Sequence, residues 1–239
     1  MILFNNIPSS DDRYFISAKA GGLNPFTPRP NGSNLRFQNC TFFAAGAMAK
    51  NSGVWITPTN AENFCAVGSQ YHKLLVIDVP IHGAIACWRC GQIGNGSDGA
   101  GHVAQVIGIG STHIQIAQSG WSNSNTPFWT STCVFKKNTF EPVAGAKYSF
   151  VGYLLPFSAL KFGSVGEYVK ELQRCLIRFG FLRKGEDDGD FGLITEGAVC
   201  CYQLHNPECG TPDGIAGTKT IRSIAARMMK ELQDGKKIS

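Results

Sequence analysis

Gln38-Asn39-Cys40-Thr41-Phe42-Phe43-Ala44-Ala45-Gly46-Ala47-Met48-Ala49-Lys50 sets the reading of the first two thirds of this chain. Phe43, Ala44, Ala47 and Met48 recur at helical spacing, Asn39 is an acceptable N-cap, and Gly53 is a stop signal, so the stretch predicts a helix that begins at Cys40. A thiol in the first turn of a helix meets unpaired backbone N–H groups and the positive end of the helix dipole, which favour thiolate over thiol. Cysteine is also a common small core residue, so partners elsewhere in the chain must decide between a nucleophile and a packed thiol.

Working outward, residues 1–36 are rich in Gly, Pro, Asn and Ser and read as a lead-in of turns. Beyond the first helix, Asn60 or Thr59 caps a second short helix ending near Gly68. The period then changes. Leu74–Ile77, Ala84–Trp88, His102–Ile109, His113–Gln118 and Ser149–Leu154 are short β-branched runs bounded by turn residues, the pattern of an antiparallel sheet. Helices followed by such strands make an α+β order. The segments 89–100 and 119–127 are loops at the edge of that sheet.

After a joint at Leu155–Gly163 the helical period returns. Ser164-Val165-Gly166-Glu167 reads as a capping box, with Val165, Tyr168, Val169, Leu172, Leu176 and Phe179 on one face up to Gly180. Further helices run from about Thr195 to Asn206 and from about Thr218 to Leu232, giving a small all-α three-helix unit. We read no internal repeat and no low-complexity tract.

Composition narrows the class. With 43% hydrophobic and 16% charged residues the chain folds rather than staying disordered. The net charge of +5 is spread thinly, with no basic run longer than a pair such as Lys136-Lys137, which argues against nucleic acid as a partner and suits a mildly anionic surface. The N-terminus has no basic region ahead of an apolar run and nowhere do about eighteen apolar residues run together, so neither an export signal nor integral membrane association is expected. Nine cysteines without such a signal read as free thiols.

A thiolate nucleophile needs a base and a group that orients the base. His102 follows Gly101 and opens a strongly β segment, so it is the candidate base; His113 is the rival, and His72, His82 and His205 read as surface or loop residues. The next strand ends at Gln118, and antiparallel pairing brings it beside His102, where its amide oxygen can accept the imidazole N–H; Asn123, Asn125 or a backbone carbonyl could serve instead. Trp121, Phe128 and Trp129 flank this region, with Trp121 and Trp129 as candidate substrate-binding residues. Cys87-Trp88-Arg89-Cys90 has a zinc-like spacing but no second pair, and Asp187-Asp188-Gly189-Asp190 lacks the downstream Glu of a calcium loop and fits a helix-entry turn, so no metal is expected.

Phe37-Gln38-Asn39-Cys40-Thr41-Phe42-Phe43-Ala44, Gly83-Ala84-Ile85-Ala86-Cys87-Trp88, Gly101-His102-Val103-Ala104-Gln105-Val106 and Gln118-Ser119-Gly120-Trp121, in this order, resemble the motifs of the CHAP family, cysteine, histidine-dependent amidohydrolases and peptidases that cut bacterial peptidoglycan. The likeness covers roughly residues 10–155 and departs at Ala84, where an acidic residue is usual, and at Gln118, where Glu or Asn is usual. It implies a papain-like catalytic domain over 1–157, with Cys40 as nucleophile, His102 as base and Gln118 as orienter. The Cys40 backbone N–H, aided by the Gln38 side chain, would hold the oxyanion. Gly166–Gln173, Asp188–Gly192, Thr195–Val199 and Pro212–Thr220 resemble the three-helix peptidoglycan-binding domain family, which places such a domain at 161–235. Together the resemblances imply a monomeric bacteriophage endolysin that waits in the host bacterial cytoplasm until lysis and then acts at the periplasm and cell wall on peptidoglycan, with no cofactor. A bacterial or prophage-borne autolysin is the near alternative. The expected reaction is that of an N-acetylmuramoyl-L-alanine amidase; a stem or cross-bridge endopeptidase is the alternative, and a non-catalytic wall-binding protein the reading of another class.

Overall fold

Asn39 and Gly53 bound the first helix, α1 (Cys40–Ser52): the Asn39 side chain accepts the Phe42 N–H at 2.8 Å, and Gly53 closes the last turn in the left-handed conformation. The computed structural model describes residues 11–26, 39–90, 100–120, 129–145 and 147–236. The chain divides between Pro156 and Phe157 into two compact units. Among the described residues no helix is long and apolar enough to cross a membrane.

In the first unit α1 is buried from Thr41 to Ala49 without a break. Its Ala-rich composition follows from that position, because a helix enclosed on every side needs small residues to pack closely. A second helix, α2 (Phe64–His72), follows a single 3-10 turn at Ala61–Asn63. The expected stop at Gly68 is not a stop: α2 continues to His72, and Lys73 ends it in the left-handed conformation. Gly68 serves packing instead, since a Cβ there would lie 2.5 Å from Leu154 Cδ2.

Among the described residues six strands form one antiparallel sheet: β1 (Val76–Ile77), β2 (Ile85–Cys90), β3 (His102–Ile109), β4 (His113–Gln118), β5 (Trp129–Val134) and β6 (Tyr148–Leu154), in the spatial order β1-β6-β2-β3-β4-β5. This is an α+β architecture. Strand β5 was not legible beforehand, because an edge strand paired on one side shows little alternation and only Cys133 of it is buried. Side chains alternate across the sheet. Ile85, Cys87, Val103 and Ala117 pack with Phe42, Phe43 and Met48 of α1 in the core. The register pairs Trp88 with His102, Ile116 with Ser131 and Gln118 with Trp129, which puts these six side chains on the opposite face.

The second unit has three helices, α3 (Glu167–Arg178), α4 (Leu193–His205) and α5 (Thr218–Gln233). The expected capping box does not form. Residues 163–166 hydrogen-bond with 189–191, with Val165 bridged to Asp190, so the helix starts only after Gly166 and the Ser164 hydroxyl accepts the Lys161 N–H. A second bridge joins Leu160 to Ala216.

The unit also contains a repeat that the sequence reading passed over. Val169-x-x-Leu172-Gln173 and Val199-x-x-Tyr202-Gln203 each precede a Asp-Gly-x-x-Gly-x-x-Thr loop, at 188–195 and 213–220. Gln173 is buried; its Nε2 lies within hydrogen-bond distance of Asp188 Oδ1 at 2.8 Å, the Asp190 carbonyl at 2.9 Å and Thr195 Oγ1 at 3.0 Å, sharing its two N–H groups among them, and its Oε1 accepts the Gly189 N–H. Gln203 does the same toward Asp213 Oδ1 at 2.9 Å, the Ile215 carbonyl at 3.0 Å and Thr220 Oγ1 at 3.0 Å, and accepts the N–H groups of Asp213 and Gly214. The carboxyls of Asp188 and Asp213 are both held below their usual range, first by the N–H of Asp190 or Ile215 and then by the glutamine. The repeat escapes a periodicity search because the glutamine-to-loop spacing differs between its two copies. The acidic loop is thus accounted for as structure: Asp188 binds Gln173, and Asp187 accepts from Arg174 Nε at 3.1 Å.

Replacing Gln173 or Gln203 by Leu keeps the volume and strands several buried polar groups. We expect either change to lower the unfolding free energy of the second unit by about 2–4 kcal/mol in urea titration. Gly68→Ala should lower that of the first unit by about 1–3 kcal/mol through overpacking against Leu154.

Candidate active site

Cys40 stands at the start of α1, on a helix whose position is set by burial, and is itself half-buried. The residue before it is held in an unusual conformation: Asn39 has φ +86° and ψ 160°, a region that favours glycine and costs a side-chain-bearing residue about 1–3 kcal/mol. Its Oδ1 offsets part of that cost by accepting from both the Phe42 N–H and the Thr41 hydroxyl, at 2.8 and 2.7 Å. The thiol does not have the depressed pKa expected of a helix start. Burial pushes it up, and the backbone N–H groups of Val103, Thr41 and Cys40 itself only partly counteract this.

His102 is the first residue of β3, preceded by Gly101 at φ +60°. A side chain at 101 would lie 2.5 Å from the Trp88 carbonyl oxygen and 2.7 Å from the Glu62 backbone nitrogen, so only glycine lets the loop enter the strand here. The imidazole stacks on Trp88 with centroids 5.8 Å apart, and Tyr148 stands on another side at 5.9 Å. Trp88 is fixed in turn by its indole N–H, which donates to the Pro142 carbonyl at 3.0 Å.

His102 Nε2 donates to Gln118 Oε1 at 2.6 Å, and Gln118 Nε2 donates to Ser131 Oγ at 2.7 Å. An amide oxygen only accepts, so the neutral ring carries its proton on Nε2 and keeps Nδ1 as the basic nitrogen. Burial lowers the His102 pKa below its ordinary 6.5, and the bond to Gln118 recovers part of the loss. Both shifts favour the neutral forms, a thiol and an imidazole that line one cavity.

Cys40, His102, Gln118, Trp129, Ser131 and Tyr148 line one cavity of about 620 Å³. Trp129, expected as a substrate-binding residue, stands at its rim with 38% of its surface exposed. Gln38 and Trp121, together with Asn123, Asn125 and Phe128, lie outside the described residues. His113 opens β4 at the end opposite Gln118, about 17 Å away along the strand. Trp88, Tyr148 and Ser131 were missed beforehand. Reading 129–134 as a strand would have placed Ser131 on the same face as Trp129 and so in this cavity. Among the described residues no group of three or more His, Cys, Asp or Glu side chains could hold a metal ion.

Two measurements follow from this electrostatic state. Iodoacetamide labelling of Cys40 should accelerate steadily as the pH rises toward and beyond 9.0, the ordinary thiol value, with no plateau between pH 6 and 8 of the kind a preformed thiolate–imidazolium pair would give. Gly101→Ala should displace His102, visible as a shift of its imidazole proton resonances while the second unit's signals stay in place.

Residues 165–224 match the family model described as a putative peptidoglycan binding domain, so a domain of that kind is found in this part of the chain. The remaining unit has no counterpart in that match. A comparison with curated proteins finds none that matches. Among solved structures, a periplasmic domain of the EpsAB fusion protein of the Vibrio vulnificus type II secretion system is similar at 14% identity and a TM-score of 0.30, over 76% of this chain and 77% of that one, a likeness too loose to carry an argument. The match supports peptidoglycan as a partner.

Proposed function

We propose that the chain is a peptidoglycan hydrolase of the endolysin kind, in which a papain-like, CHAP-type first unit cuts an amide bond and the second unit holds it on the wall. The observation that carries this reading is the His102–Gln118 hydrogen bond in the cavity that Cys40 also lines, within a chain that bears a peptidoglycan-binding domain.

The substrate carbonyl carbon is attacked by Cys40 Sγ while His102 Nδ1 takes the thiol proton. Because the resting pair is neutral, proton transfer accompanies attack. The backbone N–H groups of Val103, Thr41 and Cys40 lower the thiol pKa and so favour the sulfur as it gains charge. The Cys40 N–H is the donor best placed for the oxyanion, with the Gln38 side chain as its partner. Gln118 holds the ring through Nε2 and stabilises the imidazolium that forms. The imidazolium returns its proton to the leaving amine, and water activated by the same nitrogen releases the acyl group. Wall binding by the second unit raises the local concentration of substrate without entering the chemistry.

The amide is that between N-acetylmuramic acid and L-alanine. The protein accumulates in the host bacterial cytoplasm and reaches the periplasm and wall at lysis.

Turbidity loss of purified bacterial walls tests the reading. Cys40→Ala should lose at least about a thousandfold in rate while still sedimenting with walls; equal lysis by both proteins would remove Cys40 as nucleophile, and wall binding without lysis by the unaltered protein would leave a binding protein. Mass spectrometry of the digest identifies the bond, since stems with a free N-terminal L-alanine mark the amidase and their absence marks the endopeptidase.

A further inference from the structure

The hydrogen bond between His102 and Gln118 continues to a third strand. In register, Gln105 pairs with Ala117, so Ala104 stands opposite Gln118 and His102 lies diagonally across from it. On the other side Trp129 is opposite Gln118 and Ser131 is the diagonal neighbour. Diagonal neighbours stand roughly 7–8 Å apart, beyond the reach of short side chains but within that of a glutamine, and Ala104 leaves the path clear. Gln118 thus spans both diagonals with one amide, its oxygen at His102 and its nitrogen at Ser131. It is only 8% exposed, and its three side-chain torsions would let the amide leave the imidazole if its far end were not tied down.

We infer that Ser131 is a positioning residue, whose hydroxyl anchors the Gln118 amide on β5 and so holds it against His102. The hydroxyl can accept or donate, so what it determines is the place of the amide rather than its orientation. Without the anchor, a buried Nε2 donor is left unpaired and the amide gains by turning toward the open cavity, away from the ring. This inference rests on the reading of Cys40, His102 and Gln118 as a catalytic set, but the contact itself is measurable without turnover.

The test compares Ser131→Val with Ser131→Thr in the full chain. The two side chains have nearly the same shape on an edge strand and differ in one hydroxyl. Ser131→Val should lower kcat for wall hydrolysis by about tenfold with KM changed less than about twofold, and Ser131→Thr should stay within about twofold of the unaltered protein. The second readout is the NMR titration of the His102 ring. The Gln118 bond favours the charged ring, so loosening it should move the titration to lower pH in Ser131→Val and leave it in place in Ser131→Thr. Among the described residues, Cys40, Cys133 and Tyr148 are the other titratable side chains lining the cavity, and they are common to both variants. Should valine disturb the strand, Ser131→Ala removes the hydroxyl without adding bulk and must give the same titration shift. A titration shift in proteins that do not hydrolyse walls at all would uphold the anchor and remove the hydrolase reading. Unaltered turnover and titration in Ser131→Val, or equal losses in the valine and threonine variants, would overturn the anchor.

Discussion

The first unit depends on the burial of α1 against β2, β3 and β4. Phe42, Phe43 and Met48 are fully enclosed, each contributing roughly 2–3 kcal/mol, and the alanines between them let the helix lie close to the sheet. A helix held this way cannot slide by a residue without exposing one of those side chains, so its first residue stays where the packing puts it. The strained Asn39 conformation is maintained by the same constraint, since two hydrogen bonds from its own helix and the fixed helix axis leave its backbone little alternative. The position of Cys40 beside the Val103 N–H is thus a consequence of core packing, one layer removed from any chemistry.

That burial also sets the electrostatics. The same desolvation raises the Cys40 thiol and lowers the His102 imidazole, and both shifts favour neutral groups. Helix-start N–H groups and the Gln118 amide each work in the opposite direction and recover part of the loss. A site of this kind keeps its thiol protonated at rest and less open to oxidation than a standing thiolate would be. Charge is generated when a carbonyl carbon arrives to receive the sulfur's electrons. The aromatic walls at Trp88 and Tyr148 limit how the imidazole can turn, so the ring's position is determined by packing as well as by its hydrogen bond.

In the second unit two buried glutamines perform the equivalent organising role. Each ties a helix to the loop that follows it by bonding an aspartate, a carbonyl, a threonine and at least one backbone N–H, and every one of these groups would otherwise be buried unpaired or left to water. The glycines of the two loops and the threonines at the next helix start are therefore parts of one device used twice. Its residues Gln173, Asp188, Gly189, Thr195, Gln203, Asp213, Gly214 and Thr220 all lie within the stretch that matches a peptidoglycan-binding domain.

From the sequence by itself came the α1 boundaries, strands β3 and β4, the helical character of the second unit and the choice of Cys40, His102 and Gln118 as one candidate set. These were legible because they rest on local signals: an N-cap, a glycine stop, period-two alternation, and the pairing of neighbouring strands across a short turn. What lay beyond it depends on contacts between residues far apart in the chain. Strand β5 carries almost no alternation, so Ser131 appears beside Gln118 only when the sheet is assembled. Gly68 is a packing residue under Leu154 and not a helix end, and α2 runs on to His72. The capping box at Ser164 lost its backbone to the bridge with Asp190. The protonation of the site was also a tertiary matter, because a helix start argues for a thiolate while the burial that surrounds it, which no local pattern records, argues more strongly for a thiol.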